Sequence, residues 1–117
     1  MSERQYLVLF RSAPSGQDRE RPSPEAMQEM MAAYKAWMAE FDHAIVSMGD
    51  KLTSSGRVLT GGDVTDGPFV EAKEVVGGYM ILRGESYEDA VATVRAMPGS
   101  GRPGARFEIR ELAGASM

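Results

Sequence analysis

The chain has 117 residues, a length that fits one domain with a single core of ordinary size. Its 43% hydrophobic and 26% charged residues are typical of a folded globular protein, which excludes the disordered and fibrous classes. A net charge of −4 argues against sequence-independent binding of nucleic acid, and the lack of cysteine excludes disulfide scaffolds, thiolate catalysis and cysteine-based metal sites.

We predict a single domain over residues 1–117. The longest apolar run near the start, Tyr6 to Phe10, is too short for the core of a signal peptide, and no segment is long enough to span a bilayer. We therefore expect a cytoplasmic protein that has no membrane partner.

The first predicted elements are a strand and a long helix. Gln5 to Phe10 is short and apolar on both faces, which predicts a strand in the middle of a sheet. Ser23-Pro24 then marks a helix start, with a capping hydroxyl followed by proline at the first helical position. Apolar residues recur at spacings of three and four from Met27 to Met48, and Gly49 stands where a C-terminal cap belongs, so we expect one amphipathic helix over this whole stretch.

The second half of the chain repeats this alternation of strands and a helix. Ser86, followed by Asp89 three residues later, predicts the start of a helix that ends at Pro98-Gly99. Short apolar or alternating runs between turn residues predict strands at Arg57–Thr60, Val75–Arg83 and Arg106–Leu112, with a turn at 61–63.

This order predicts an α+β fold, the ferredoxin-like βαββαβ unit, with both helices on one face of an antiparallel sheet. The two central strands are apolar on their second face as well. A monomer would therefore expose an unusually large apolar patch. We predict that two copies pack sheet to sheet as a homodimer.

An unusually constrained turn is formed by Asp66-Gly67-Pro68-Phe69. Proline fixes its own φ and pushes Gly67 away from the helical region. The N–H that Asp66 would normally bond, two residues on, is missing because that residue is Pro68. Asp66 either caps another backbone N–H nearby, or it faces a cavity as an acid, a base or a ligand contact.

The residues after this turn form a candidate site. If the segment is extended, Phe69, Glu71 and Lys73 share one side, where an aromatic wall beside a carboxylate and an amine could hold and deprotonate a small molecule. The alternative is a surface ion pair of little energetic worth. Further along, Gly77 and Gly78 either admit a close backbone or a ligand next to Tyr79, or only mark a bulge.

The pattern resembles the YCII-related superfamily, in the branch named after its Asp-Gly-Pro-Phe (DGPF) motif. The resemblance rests on the run from Thr65 to Tyr79 and on matching residues elsewhere, and it covers almost the whole chain. These other residues are Trp37, Gly49, Lys51-Leu52, Gly56-Arg57-Val58, Ala90, Pro98 and Glu108-Ile109-Arg110.

The resemblance implies a dimeric α+β barrel, in which two ferredoxin-like sheets face one another and enclose clefts. It implies no single activity. Relatives include a dehydrochlorinase that acts on an aromatic ring, and some members of the branch are encoded near, or fused to, extracytoplasmic-function sigma factors. Fold analogy alone is a weak basis for assigning chemistry.

The archetype of the superfamily is proposed to work through a His and Asp pair, which draws attention to His43, the only histidine. On the predicted helix, His43 points away from the stripe through Tyr34, Trp37 and Phe41. We interpret it as a surface residue. With one histidine and no cysteine we expect no metal site and no cofactor.

Two hypotheses follow for function. In the first, the protein is a metal-free enzyme for acid–base elimination or isomerisation in a dimer cleft, with Asp66 and Glu71 as acid or base and Lys73 as charge partner. In the second, it is a non-catalytic module that binds a small organic ligand, through Phe69, Gly77, Gly78 and Tyr79, and has a regulatory role. A purely structural role of the motif in dimer assembly is a third reading.

Overall fold

The computed structural model describes residues 3–12, 23–67 and 75–114. These residues form two helices, six strands and one short 3-10 turn. In chain order they are β1 (Arg4–Ser12), α1 (Pro24–Glu40), the 3-10 turn (Asp42–Ala44), β2 (Ile45–Lys51), β3 (Gly56–Thr60), β4 (Asp63–Gly67), β5 (Val75–Gly84), α2 (Tyr87–Arg95) and β6 (Arg106–Glu111).

Four strands form one antiparallel sheet in the order β2-β5-β1-β6. The strands predicted to lie at the centre, β1 and β5, are central. The fold is therefore α+β with an antiparallel sheet and two helices, in an arrangement compatible with the ferredoxin-like unit, and the predicted fold class is confirmed.

The hydrophobic core lies between this sheet and the two helices. Alternate residues of the central strands point into it: Tyr6 and Val8 of β1, and Met80 and Leu82 of β5, are all fully buried. The helices cover them with Trp37, Ala90 and Val94, and Met97 follows α2. On the opposite face of the sheet, Leu7, Leu9, Tyr79 and Ile81 are only half-buried.

Both predicted helix starts are confirmed. The Ser23 hydroxyl accepts a hydrogen bond from the Ala26 N–H at 3.1 Å, with Pro24 at the first helical position. The Ser86 hydroxyl accepts one from the Asp89 N–H at 3.3 Å. Each bond satisfies one of the N–H groups that the first turn of a helix leaves without a partner.

The prediction of one helix as far as Met48 was wrong. The helix ends at Glu40, and the chain then passes through the 3-10 turn into β2. Ile45 and Val46 are β-branched, which favours a strand. Gly49 has the positive φ (61°) expected of a helix-capping glycine, but it sits where the pairing of β2 with β5 shifts register, so it marks a bulge.

A second correction concerns the segment from Gly56 to Gly67. Arg57–Thr60 does lie in a strand, β3, but it pairs only with β4 in a separate two-stranded sheet. The main sheet instead takes its second strand from Ile45–Lys51. The turn at Gly61 and Gly62 is as predicted. Val64-Thr65, expected to lead into a turn that begins at Asp66, instead lie with Asp66 within β4.

The methionines of α1 are less buried than their spacing predicts. Met38 packs against the core, but Met27 and Met30 are 48% and 36% exposed. Trp37 is the buried residue of this helix, at 3% exposure. Among the described residues, no helix is both long and apolar enough to cross a membrane.

Candidate functional site

A cleft of about 280 Å³ opens at the end of the sheet where β1 finishes and β5 and β6 begin. Helix α1 forms one wall of the cleft, and the loop between α2 and β6 forms another. Its apolar lining consists of Phe10, Met30, Tyr34, Met97, Pro98 and Phe107, its basic lining of Arg11, Lys51, Arg102 and Arg106, and its small residues are Gly77, Gly99 and Ala105. We call this set of residues the cleft.

The apolar wall is built by strand pairing. Phe10 and Phe107 face each other across β1 and β6, and their rings meet edge to face with centroids 5.3 Å apart. Gly78 pairs with Phe10 on the other side, where an added Cβ would lie 3.2 Å from the Phe10 ring. The absence of a side chain at Gly78 thus leaves room for the Phe10 ring.

A bulge shapes the floor of the cleft at Gly77. Phe10 of β1 pairs with Gly78 of β5, and the next residue, Arg11, pairs with Val76. Gly77 is therefore an extra residue in β5. Its carbonyl accepts a hydrogen bond of 2.9 Å from the N–H of Leu52, just after β2. The bulge that was one alternative for this glycine pair is present, and backbone also lies close to Gly78, where an added Cβ would be 3.2 Å from the carbonyl oxygen of Asp50.

The Arg11 guanidinium is held by Glu108 of β6. Its Nη2 and Nε atoms lie 2.7 and 2.8 Å from Oε1 of Glu108, while Nη1 of Arg110 lies 3.4 Å from Oε2. The hydrogen bond from Arg11 is the main reason that the pKa of Glu108 is below its ordinary value. Glu108 therefore stays ionised, and its charge offsets that of Arg11.

Asp66 is described by the structure but does not line the cleft. It lies in β4, opposite Arg57, with its Oδ1 3.5 Å from Arg57 Nη1. Its side chain is 94% exposed, so this ion pair contributes little to stability. Among the described residues, no backbone N–H donates a capping hydrogen bond to this carboxylate, and the carboxylate does not face the cleft.

The other predicted residues divide into two groups. Phe69, Glu71 and Lys73, together with Pro68, lie outside the described residues. Of the remaining three, Gly77 lines the cleft and Gly78 lies directly behind Phe10. Tyr79 is on the opposite face of β5 from the buried Met80, and does not line the cleft.

His43 is exposed, as expected, although for a different reason. It lies in the 3-10 turn after α1 and stacks on Phe41, with ring centroids 6.3 Å apart. It shares a surface pocket with Arg83 and Gly84, at the far end of β5 from Gly77. Arg83 lies six positions after Gly77 along β5, or about 20 Å, so His43 is remote from the cleft.

The sequence interpretation missed most of the cleft. Tyr34 was assigned to the helix stripe, and no role was predicted for Arg102, which lies in the glycine-rich loop between α2 and β6. Lys51 was noted as a family residue without a role. No group of three or more His, Cys, Asp or Glu residues that could hold a metal ion is present among the described residues.

The family model of the YCII-related domain matches residues 5–113, nearly the whole chain. The chain belongs to this family. A comparison with curated proteins returns no match. Because the match covers all four strands of the main sheet and both helices, the cleft of this YCII-related domain is built entirely within the matched region.

Proposed function

We propose that the protein binds a small organic molecule in the cleft. The observation that supports this is the aromatic wall, because Phe10, Tyr34 and Phe107 all pack against the buried core and are therefore held in place before any ligand arrives. Concave sites with a largely apolar lining and a few polar groups are typical of small-molecule binding.

Filling the cleft is expected to weaken binding. Ala105 lines it, and a leucine at this position adds an apolar side chain within the space that a ligand would occupy. In an NMR titration with phenylacetate, phenylacetamide, hexanoate and hexanamide, we expect shifts at the amides of Gly77, Gly99 and Ala105. Ala105→Leu should weaken this binding at least tenfold, by roughly 1.4 kcal/mol.

The matched control is Ala36→Leu, at an exposed position of α1 outside the cleft. It should bind the probes as the unmodified protein does. If none of the four probes perturbs the cleft amides, or if both leucine variants bind equally well, the cleft is not the binding site.

Acid–base catalysis by Asp66, Glu71 and Lys73 is our second candidate. Chain connectivity favours it, because the segment that carries Glu71 and Lys73 leads directly into β5 at Val75. Gly77, two residues after Val75, lines the cleft. The NMR samples would reveal conversion of a bound probe. If conversion occurs and Asp66→Asn and Glu71→Gln proteins keep the full rate, this assignment is wrong.

The resemblance in the sequence supports two narrower proposals. We place the chain in the DGPF branch, on the strength of Asp66-Gly67-Pro68-Phe69 and the residues that follow. We also retain the regulatory form of the binding hypothesis, in which a protein partner such as an extracytoplasmic-function sigma factor responds to the ligand-bound state.

A homodimer packed sheet to sheet, which would form the α+β barrel, is also part of the proposal. Its support is the face of the main sheet opposite the two helices, where Leu7, Leu9, Tyr79 and Ile81 form a half-buried apolar strip. Covering this strip would remove apolar surface from water. Light scattering at micromolar concentration should give twice the chain mass; a monomer would remove this part of the proposal.

A further inference from the structure

The charge around the cleft is opposite in sign to that of the protein. The chain carries a net charge of −4. The described lining of the cleft nevertheless includes four basic side chains and no acidic one; the basic residues are Arg11, Lys51, Arg102 and Arg106. Such a local excess in an acidic protein attracts anions by electrostatic focusing.

These basic residues are not equivalent. Arg11 is matched by the carboxylate of Glu108 at 2.7 Å, so its charge is largely satisfied within the protein. Lys51 and Arg102 are exposed, and neither makes an ion pair with another described residue. Lys51 comes from the end of β2 and Arg102 from the glycine-rich loop, so the two charges reach the cleft from different elements.

From this arrangement we propose that the ligand is a small organic anion with an apolar body, and that Lys51 and Arg102 bind its charged group. This inference rests on the proposed binding function and adds the chemical class of the ligand. Phe10, Tyr34 and Phe107 supply the surface for the apolar body. Hydrogen bonds from ammonium and guanidinium groups to an anion are among the stronger polar contacts that a protein makes.

The size of the cleft narrows the class further. At about 280 Å³, it is just below the range of roughly 300–1,000 Å³ found for ligand pockets. It therefore suits a molecule with one ring or a short chain rather than a dinucleotide. The anionic group is a carboxylate or a phosphate, which share the same recognition chemistry.

The decisive test compares matched acids and amides by NMR titration of the unmodified protein. Phenylacetate and hexanoate should bind at least tenfold more tightly than phenylacetamide and hexanamide. Phenyl phosphate measures the preference between the two anionic groups, and either order is consistent with the proposal provided that an organic anion binds. Inorganic phosphate binding as tightly as the organic anions would overturn the role of the apolar wall.

Charge-matched variants test the two residues. Arg102→Gln and Lys51→Met each remove one positive charge from the cleft, whereas Arg95→Gln and Lys35→Met remove the same charge from exposed positions outside it. We expect each cleft variant to weaken phenylacetate binding about three- to tenfold and phenylacetamide binding hardly at all, since exposed charged contacts are screened by solvent. The two control variants should bind phenylacetate as before.

Equal losses in cleft and control variants would show that only the overall charge matters, and would overturn the assignment of Lys51 and Arg102. Equal affinity for each acid and its amide would overturn the preference for anions while leaving the binding function intact. If no probe of either kind perturbs the cleft amides, the binding function fails as well.

Discussion

Replacement of Gly49 by alanine is expected to destabilise the protein by more than about 3 kcal/mol, a large effect for the addition of one methyl group. Two causes act together. Gly49 has φ 61°, and a residue with a Cβ loses roughly 1–2 kcal/mol in this left-handed region. In addition, the new Cβ would overlap the carbonyl oxygen of Tyr79 and lie 2.7 Å from its carbonyl carbon. Both atoms belong to the backbone of β5, so relief requires that β2 and β5 move apart.

Gly61 provides a control with the same backbone conformation. Its φ is 58°, but an added Cβ meets no atom within 4 Å. Gly61→Ala should therefore show the conformational cost alone, roughly 1–2 kcal/mol. Urea unfolding followed by circular dichroism measures both variants against the unmodified protein. If the two alanine variants have the same midpoint, the contact with Tyr79 imposes no cost and the bulge geometry at Gly49 is wrong.

Gly49 also shows why the sequence could not give the correct boundary of α1. A glycine with positive φ is required both after the last turn of a helix and in one type of β-bulge. The apolar residues Phe41, Ile45 and Met48 keep the spacing of a helix, so periodicity favoured the wrong alternative. What decides between them is the pairing of Asp50 with Tyr79, a contact between residues far apart in the chain.

The elements that were predicted correctly carry their signal within a few residues. Ser23-Pro24 and Ser86 specify helix starts through bonds to N–H groups in the next turn, and β1 is recognised by a short apolar run. The hairpin of β3 and β4 shows the limit of such local signals. The sequence predicted β3 but not β4. These two strands are separate from the main sheet because β2 takes the place beside β5.

The candidate site was harder to predict than the fold. The DGPF motif drew attention to Asp66, which the structure places on an exposed hairpin beside Arg57. The cleft is assembled instead from residues distant in sequence, such as Phe10, Tyr34 and Arg102. None of them forms a local pattern of its own. Among the predicted site residues that the structure describes, Gly77 alone also lines the cleft.

Truncation of Trp37 to alanine should cost about 3–5 kcal/mol, because this side chain is 3% exposed and links the two helices. On α1, its ring packs near Tyr34 and Phe41, with centroids 6.3 and 6.1 Å away. Its Nε1–H donates a hydrogen bond of 2.9 Å to the carbonyl of Thr93 in α2. The spacing of apolar residues predicted the packing of Trp37 but not this bond.

The Thr93 carbonyl depends on Trp37 because of how α2 ends. A helical carbonyl normally accepts from the N–H four residues on, but the N–H of Met97 bonds to Val94 instead. Trp37→Phe retains an aromatic ring and removes this donor. An unsatisfied buried carbonyl costs about 1–3 kcal/mol. The free energy of unfolding of the phenylalanine variant should fall by that amount, and by a smaller amount for the apolar contacts that the smaller ring loses.

Unfolding in urea, followed by circular dichroism, separates these contributions. Met31→Ala is the control on the same helix, because Met31 is 59% exposed and its truncation should change stability by less than about 0.5 kcal/mol. We expect the order of stability to be Met31→Ala, then Trp37→Phe, then Trp37→Ala. A phenylalanine variant as stable as the methionine control would mean that the bond to Thr93 contributes nothing, and that α1 and α2 are held together by apolar contact alone.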